Sequence, residues 1–76
     1  MSKEFDYSKL RGKIRELYHT ESDFAKEIGL SKASLSAKLN GRVEFNQGEI
    51  ICASHSLGIA AESIHEYFFT EKVKAA

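Results

Sequence analysis

The side chains best suited to chemistry lie within residues 31–42, where Lys32, Ser34, Ser36, Lys38 and Arg42 occur with no acid among them. Hydroxyl donors and fixed positive charge in one short stretch suit recognition of a polar or anionic surface. Bond making is not indicated. Ser34 and Ser36 have no positioned base, His19, His55 and His65 stand near no nucleophile, and no glycine-rich phosphate loop is present, so the chain does not read as an enzyme. Cys52 and His55 are three residues apart, but the other histidines stand at no recognised zinc spacing. No metal, cofactor or small-molecule substrate is expected.

Two short elements must hold those side chains in place. Residues 21–41 read ESDFAKEIGLSKASLSAKLNG, two amphipathic helical stretches around a glycine-centred break. Ala25 lies four residues before Gly29, where a larger side chain would collide with a second helix crossing close by. Gly29 follows Ile28, the last residue of the first apolar face, and lets the chain turn through positive φ at little cost. Leu30 supplies an apolar side chain to the turn, and Ser31 is a natural N-cap for a helix starting near Lys32. Leu35 and Leu39 share one face of that helix, so Lys32, Ala33, Ser36, Ala37 and part of Ser34 point the other way. Asn40 and Gly41 close it with two residues tolerant of left-handed geometry. A plain helical hairpin also uses small residues at crossings, but these positions have the order and intervals of a helix-turn-helix of the phage-repressor type.

The chain has 76 residues, 42% of them hydrophobic, with no proline. That is enough apolar surface for one core and too little for two. Residues 1–76 therefore read as a single helix-turn-helix domain, with 1–5 a flexible start and 70–76 a C-terminal tail. No run is long and apolar enough for a signal peptide or membrane span, which predicts a cytoplasmic protein without a membrane partner. The lone Cys52 sits in the apolar stretch 50–53 and reads as core filler. Formal net charge is zero, whereas phosphate contacts normally show as a basic excess. Distribution matters more than the sum: residues 31–42 are purely basic, whereas residues 43–76 set five acids against two lysines.

Around the central pair the pattern predicts three more helices and no strands. Asp6 or Ser8 caps a first helix on which Leu10, Ile14 and Leu17 form one core-facing stripe, with Lys9, Lys13 and Arg15 outside. Phe24 and Ile28 form the buried face of the second helix. Asn46 and Glu49 have the spacing of a capping box opening a fourth helix at Gln47, lined on one side by Ile50, Ala53, Ser54 and Leu57 and ended by Gly58. Ala61 or Glu62 opens a short fifth helix carrying Ile64, Tyr67 and Phe68. One helix face cannot bury Tyr67, Phe68 and Phe69 together, so at least one ring reaches the surface or covers the core edge. With Val73, these rings form either a homodimer or partner contact or a fold-back that seals the core alone.

The pieces DYSKLRGKI, FAKEIGLSKASLSAKLNGRV, EI and EYFFTEKV span residues 6–73. They resemble the small helix-turn-helix regulators of temperate phages of Gram-positive bacteria, in particular the Cro-like and modulator-of-repression type. The resemblance implies an all-α, compact five-helix domain of the lambda-repressor-like, DNA-binding class, with helix-turn-helix at helices 2 and 3. It also implies a place in the lysis/lysogeny switch, with either operator DNA or a phage repressor protein as partner.

Carried over residue by residue, the family's reader positions fall on Ser31, Lys32, Ala33, Ser34, Ser36, Ala37 and Lys38. On double-stranded operator DNA, Lys32 would donate to guanine, Ser36 donate or accept, and Ala33 and Ala37 touch thymine methyls. Phosphates would fall to Thr20, Glu21 and Ser22 through the amides opening the second helix, and to Lys38, Asn40 and Arg42. The set is thin, with no Arg, Gln or Asn fork between Ser31 and Leu39. Many family members have Gln where this chain has Glu21, and an apolar residue is often found where it has Lys38. The leading expectation is a transcriptional regulator that binds its operator as a dimer. The alternative is an antirepressor that lays the same face on a repressor protein, in keeping with zero net charge, Glu21 and a face of serine and alanine.

Overall fold

The helix boundaries follow from the caps. The computed structural model describes residues 5–71, in which α1 spans Ser8–Tyr18, α2 Glu21–Glu27, α3 Lys32–Leu39, α4 Gln47–Leu57 and α5 Ile64–Phe68, the last entered through a 3₁₀ turn at Ala61–Ser63. Asp6 Oδ1 accepts from the Ser8 amide at 2.8 Å, Thr20 Oγ1 from Asp23 at 3.2 Å and Ser31 Oγ from Ser34 at 3.1 Å. Each of these bonds satisfies an amide that the first helical turn leaves unpaired. Asn46 and Glu49 form the full capping box, with the Glu49 amide donating to Asn46 Oδ1 at 2.8 Å and the Asn46 amide to Glu49 Oε1 at 3.0 Å.

Both helices of the central pair end in the same way. Gly29 and Gly41 take φ of +76° and +80°. The Gly29 amide returns to the Lys26 carbonyl and the Leu30 amide to the Ala25 carbonyl, at 3.2 and 2.8 Å; Gly41 and Arg42 do the same to Lys38 and Ala37, at 3.1 and 2.9 Å. These paired bonds use up terminal carbonyls and reverse the chain within two residues. α2 and α3 are thereby separated by only four residues, and they pack directly on each other.

The core is one cluster fed by every helix. Leu10 and Ile14 of α1, Phe24 and Ala25 of α2, Leu35 and Leu39 of α3, Ala53 and Leu57 of α4 and Phe68 of α5 are buried together with Tyr7. Ala25 is fully enclosed, as a close crossing of α2 and α3 requires. Phe45 stands edge-on to both Tyr7 and Phe68, at centroid distances of 5.5 and 5.4 Å, in a favoured aromatic geometry. The 42–46 loop is thus tied to both α5 and the residue preceding α1.

Two expectations change. Leu17 is 47% exposed. Its place on the stripe is taken by Tyr18, which packs on Phe24 at 5.3 Å and donates its hydroxyl to the Ser56 carbonyl at 3.3 Å, so the α1 face runs Leu10, Ile14, Tyr18 at intervals of four. Cys52 is exposed and is not core filler. Once Ala53, Ser54 and Leu57 face inward, the 100° step of the helix carries residues 51 and 52 outside, and Ile51 is exposed as well. At the two ends of the described part, Phe5 forms an isolated antiparallel bridge with Glu71, the Asp6 amide donates to the Thr70 carbonyl at 2.7 Å, and Phe5 packs edge-on to Phe69. That bridge is the only β-type pairing among the described residues. Residues 1–4 and 72–76, Val73 included, lie outside the described part. No described helix is long and apolar enough to cross a membrane.

Candidate recognition surface

α3 turns Leu35 and Leu39 into the core and so presents its other side outward. Ser31, Lys32, Ala33 and Ser34 are exposed there, with Ser36 and Ala37 half-buried behind them. The serine hydroxyls are engaged locally. Ser31 Oγ, besides capping α3, donates to Ser34 Oγ at 3.0 Å, and Ser36 Oγ accepts from Asn40 Nδ2 at 3.3 Å.

Lys38 does not present its charge on this surface. It is buried, with its ammonium 3.0 Å from the Glu49 carboxylate and 3.2 Å from the Glu44 carbonyl to which it donates. The reason is packing. α3 meets the start of α4 at Lys38, and a charge withdrawn from water must find a partner. Burial raises the affinity of the Glu49 carboxyl for its proton, but the Asn46 amide and the Lys38 ammonium outweigh that effect and hold it below its ordinary value.

A second strut ties the α2–α3 pair to α1. Arg11 of α1 donates to the Glu21 carboxylate at 3.0 Å and to Asn40 Oδ1 at 2.8 Å. Glu21 and Asn40, both expected at phosphates, are therefore held by one guanidinium that bridges the start of α2 and the end of α3. Thr20 is exposed and spends its hydroxyl on the α2 cap, Ser22 is half-buried, and Arg42 is exposed just past α3. Sequence reasoning left Arg11 out because its partners lie ten and twenty-nine residues away.

What remains open on α3 is mostly short and apolar. Ala33, Ser34 and Ala37, the Lys38 stem and Val43 line a shallow hollow of about 260 Å³. Val43 is half exposed at its wall, and it was missed because a single valine in a loop carries no periodic signal. Lys32 sits at the N-terminal end of this face and Arg42 beyond its C-terminal end. The aromatic residues near the C-terminus divide as the helix geometry demands: Phe68 is buried, Tyr67 is half-buried beneath the Lys9 ammonium at 5.1 Å, and Phe69 is 40% exposed against Phe5 and His65. Among the described residues, no group of three or more His, Cys, Asp or Glu side chains is placed to hold a metal ion.

The chain forms a small all-helical scaffold with an outward-facing third helix, and the comparisons give it a family. The chain belongs to the DUF739 family, described as a protein of unknown function, whose model matches residues 1–71. It is similar to the solution structure of the modulator of repression (MOR) of the temperate bacteriophage TP901-1 from Lactococcus lactis, with 43% sequence identity and a TM-score of 0.77 over 92% of this chain and 95% of that one. No curated protein matches. The five-helix, all-α expectation agrees with both the architecture and this likeness.

Proposed function

We propose that this chain is a modulator of repression that binds a phage repressor protein through the outward face of its helix-turn-helix, α2 and α3. It would act as a single domain in the bacterial cytoplasm, within a lysis/lysogeny switch. The observation that carries the reading is the hollow of Ala33, Ala37 and Val43. Short apolar side chains let a partner's helix or apolar side chain approach closely, whereas base readout needs long forked donors, which α3 lacks. Withdrawal of Lys38 to Glu49 removes one cation from the face, and the likeness to a phage modulator of repression points the same way. Operator binding is the second reading, supported by the exposed Lys32 and Arg42 at the two ends of α3.

Size-exclusion of the chain mixed with the repressor from the same genome, without DNA, tests the assignment. A stable mixed peak is expected. Two separate peaks, together with a shifted operator fragment for this chain alone, would replace it with the second reading.

A further inference from the structure

A polar cleft of about 240 Å³ opens where the end of α1 meets the first turns of α2 and α3, lined by Arg11, Arg15, His19, Glu21 and Lys32 with Ile14 at its back. Its charges are unequal. Three fixed cations face one carboxylate, and that carboxylate is already bound by Arg11 at 3.0 Å. Arg15 and Lys32 are exposed and have no ion-pair partner among the described residues. His19 ends α1 at a φ of +67° and lines the same cleft. Two unpaired cations converging on a concavity leave the place of an anion open.

We infer that this cleft receives one carboxylate side chain, Asp or Glu, projecting from the partner protein, and so anchors one edge of the α3 interface by charge. The inference rests on the repressor-binding reading. Its basis is charge complementarity of limited extent. The phosphates of a nucleic acid form a continuous line of charge and need a basic stripe to follow, whereas the two unpaired cations here share one small cleft with the Arg11-bound Glu21. A single carboxylate fits that space, meeting the guanidinium of Arg15, which can grip both of its oxygens, and the ammonium of Lys32. Lys32 also opens α3, so the cleft and the apolar hollow lie on the same helix.

The test is calorimetric titration of the repressor into the wild-type chain and into Arg15→Glu and Arg15→Gln, at two salt concentrations. Arg15 is exposed, so both variants are expected to fold, and a circular dichroism melt checks it. The expected result is about tenfold weaker binding for Arg15→Glu, a smaller loss for Arg15→Gln, and a flatter salt dependence in both. Recovery of Arg15→Glu by a repressor variant with one surface acid changed to Arg would identify the carboxylate. Wild-type binding with both variants unchanged overturns the cleft assignment and leaves the repressor reading standing. No binding by the wild type removes both. Unchanged repressor affinity with loss of retention of a short DNA duplex would make the cleft a phosphate site instead, and also overturns the inference.

Discussion

The ammonium of Lys38 lies 3.0 Å from the carboxylate of Glu49, and the same carboxylate accepts the Asn46 amide at 3.0 Å. One side chain thus caps α4 and holds α3, which ties the third helix to the fourth through a nearly enclosed ion pair. Removing the cation leaves a carboxylate with little water to replace it. Lys38→Ala is therefore expected to lower unfolding free energy by about 2 to 3 kcal/mol, below the range for a fully buried pair because water still reaches both groups. Lys38→Met, which keeps the stem, should cost less than Lys38→Ala. Chemical denaturation of the three proteins measures the order; equal stabilities would show that the pair adds nothing.

The same carboxylate sets an acid limit. Glu49 has a folded pKa below its ordinary 4.5, so folding is favoured by its ionised form. That contribution is complete above the unfolded value and fades as pH falls through the folded one. Thermal melts between neutral pH and pH 3 should show a fall in midpoint beginning near pH 5. In Glu49→Gln the midpoint is expected to start lower and to vary less with pH over the same interval. An identical acid slope in both proteins would assign the loss to other carboxylates.

Backbone geometry gives a pair of substitutions with opposite signs. Gly29 lies at φ +76° with open space where a Cβ would go, so Gly29→Ala meets no clash and its cost is that of left-handed backbone, about 1 to 2 kcal/mol. Gly12 lies within α1, is exposed, and also has open space around a new Cβ. Gly12→Ala is expected to stabilise the protein by about 0.5 to 1 kcal/mol. Urea titrations resolve both shifts, and a destabilised Gly12→Ala would contradict the regular helix at that position.

How much of this was legible depends on whether the signal was local. The caps at Ser31 and Asn46 and the turns at Gly29 and Gly41 are written within a few residues, and the chain obeys them. Ala25 could be placed at a crossing because its role depends on the turn four residues later. Lys38 could not, because only the packing of α3 on α4 brings Glu49 to it. Arg11 bridging Glu21 and Asn40 is invisible for the same reason, and Leu17 yields to Tyr18 because two neighbouring apolar residues compete for one stripe. Local chemistry thus revealed the frame of the surface, and long-range pairing decided which of its charges remain available.

Cys52 offers a direct check on helix register. It faces outward on α4 beside exposed Ile51, so the native protein should react with a thiol reagent such as a maleimide without prior denaturation. Cys52→Ser is expected to change stability by no more than about 0.5 kcal/mol. Protection of the thiol until unfolding would mean that a second molecule, or another part of the chain, covers this side of α4.

Ala33 separates the two functional readings by the sign of one effect. Its side chain is exposed at the rim of the α3 hollow, so Ala33→Arg should leave stability within about 0.5 kcal/mol of wild type. A long charged side chain fills space that a protein partner would occupy and must be desolvated there. Affinity for the repressor should fall by about tenfold or more. Against DNA the same substitution adds a cation to a face that the operator reading sets against base edges, so affinity for a duplex should rise through the added charge, with a steeper salt dependence, while preference for the operator sequence falls. Parallel titrations with the repressor and with an operator fragment therefore give opposite outcomes. A weakened repressor complex supports the modulator reading. Strengthened DNA binding with an unaffected repressor titration would move the function of this face to the operator.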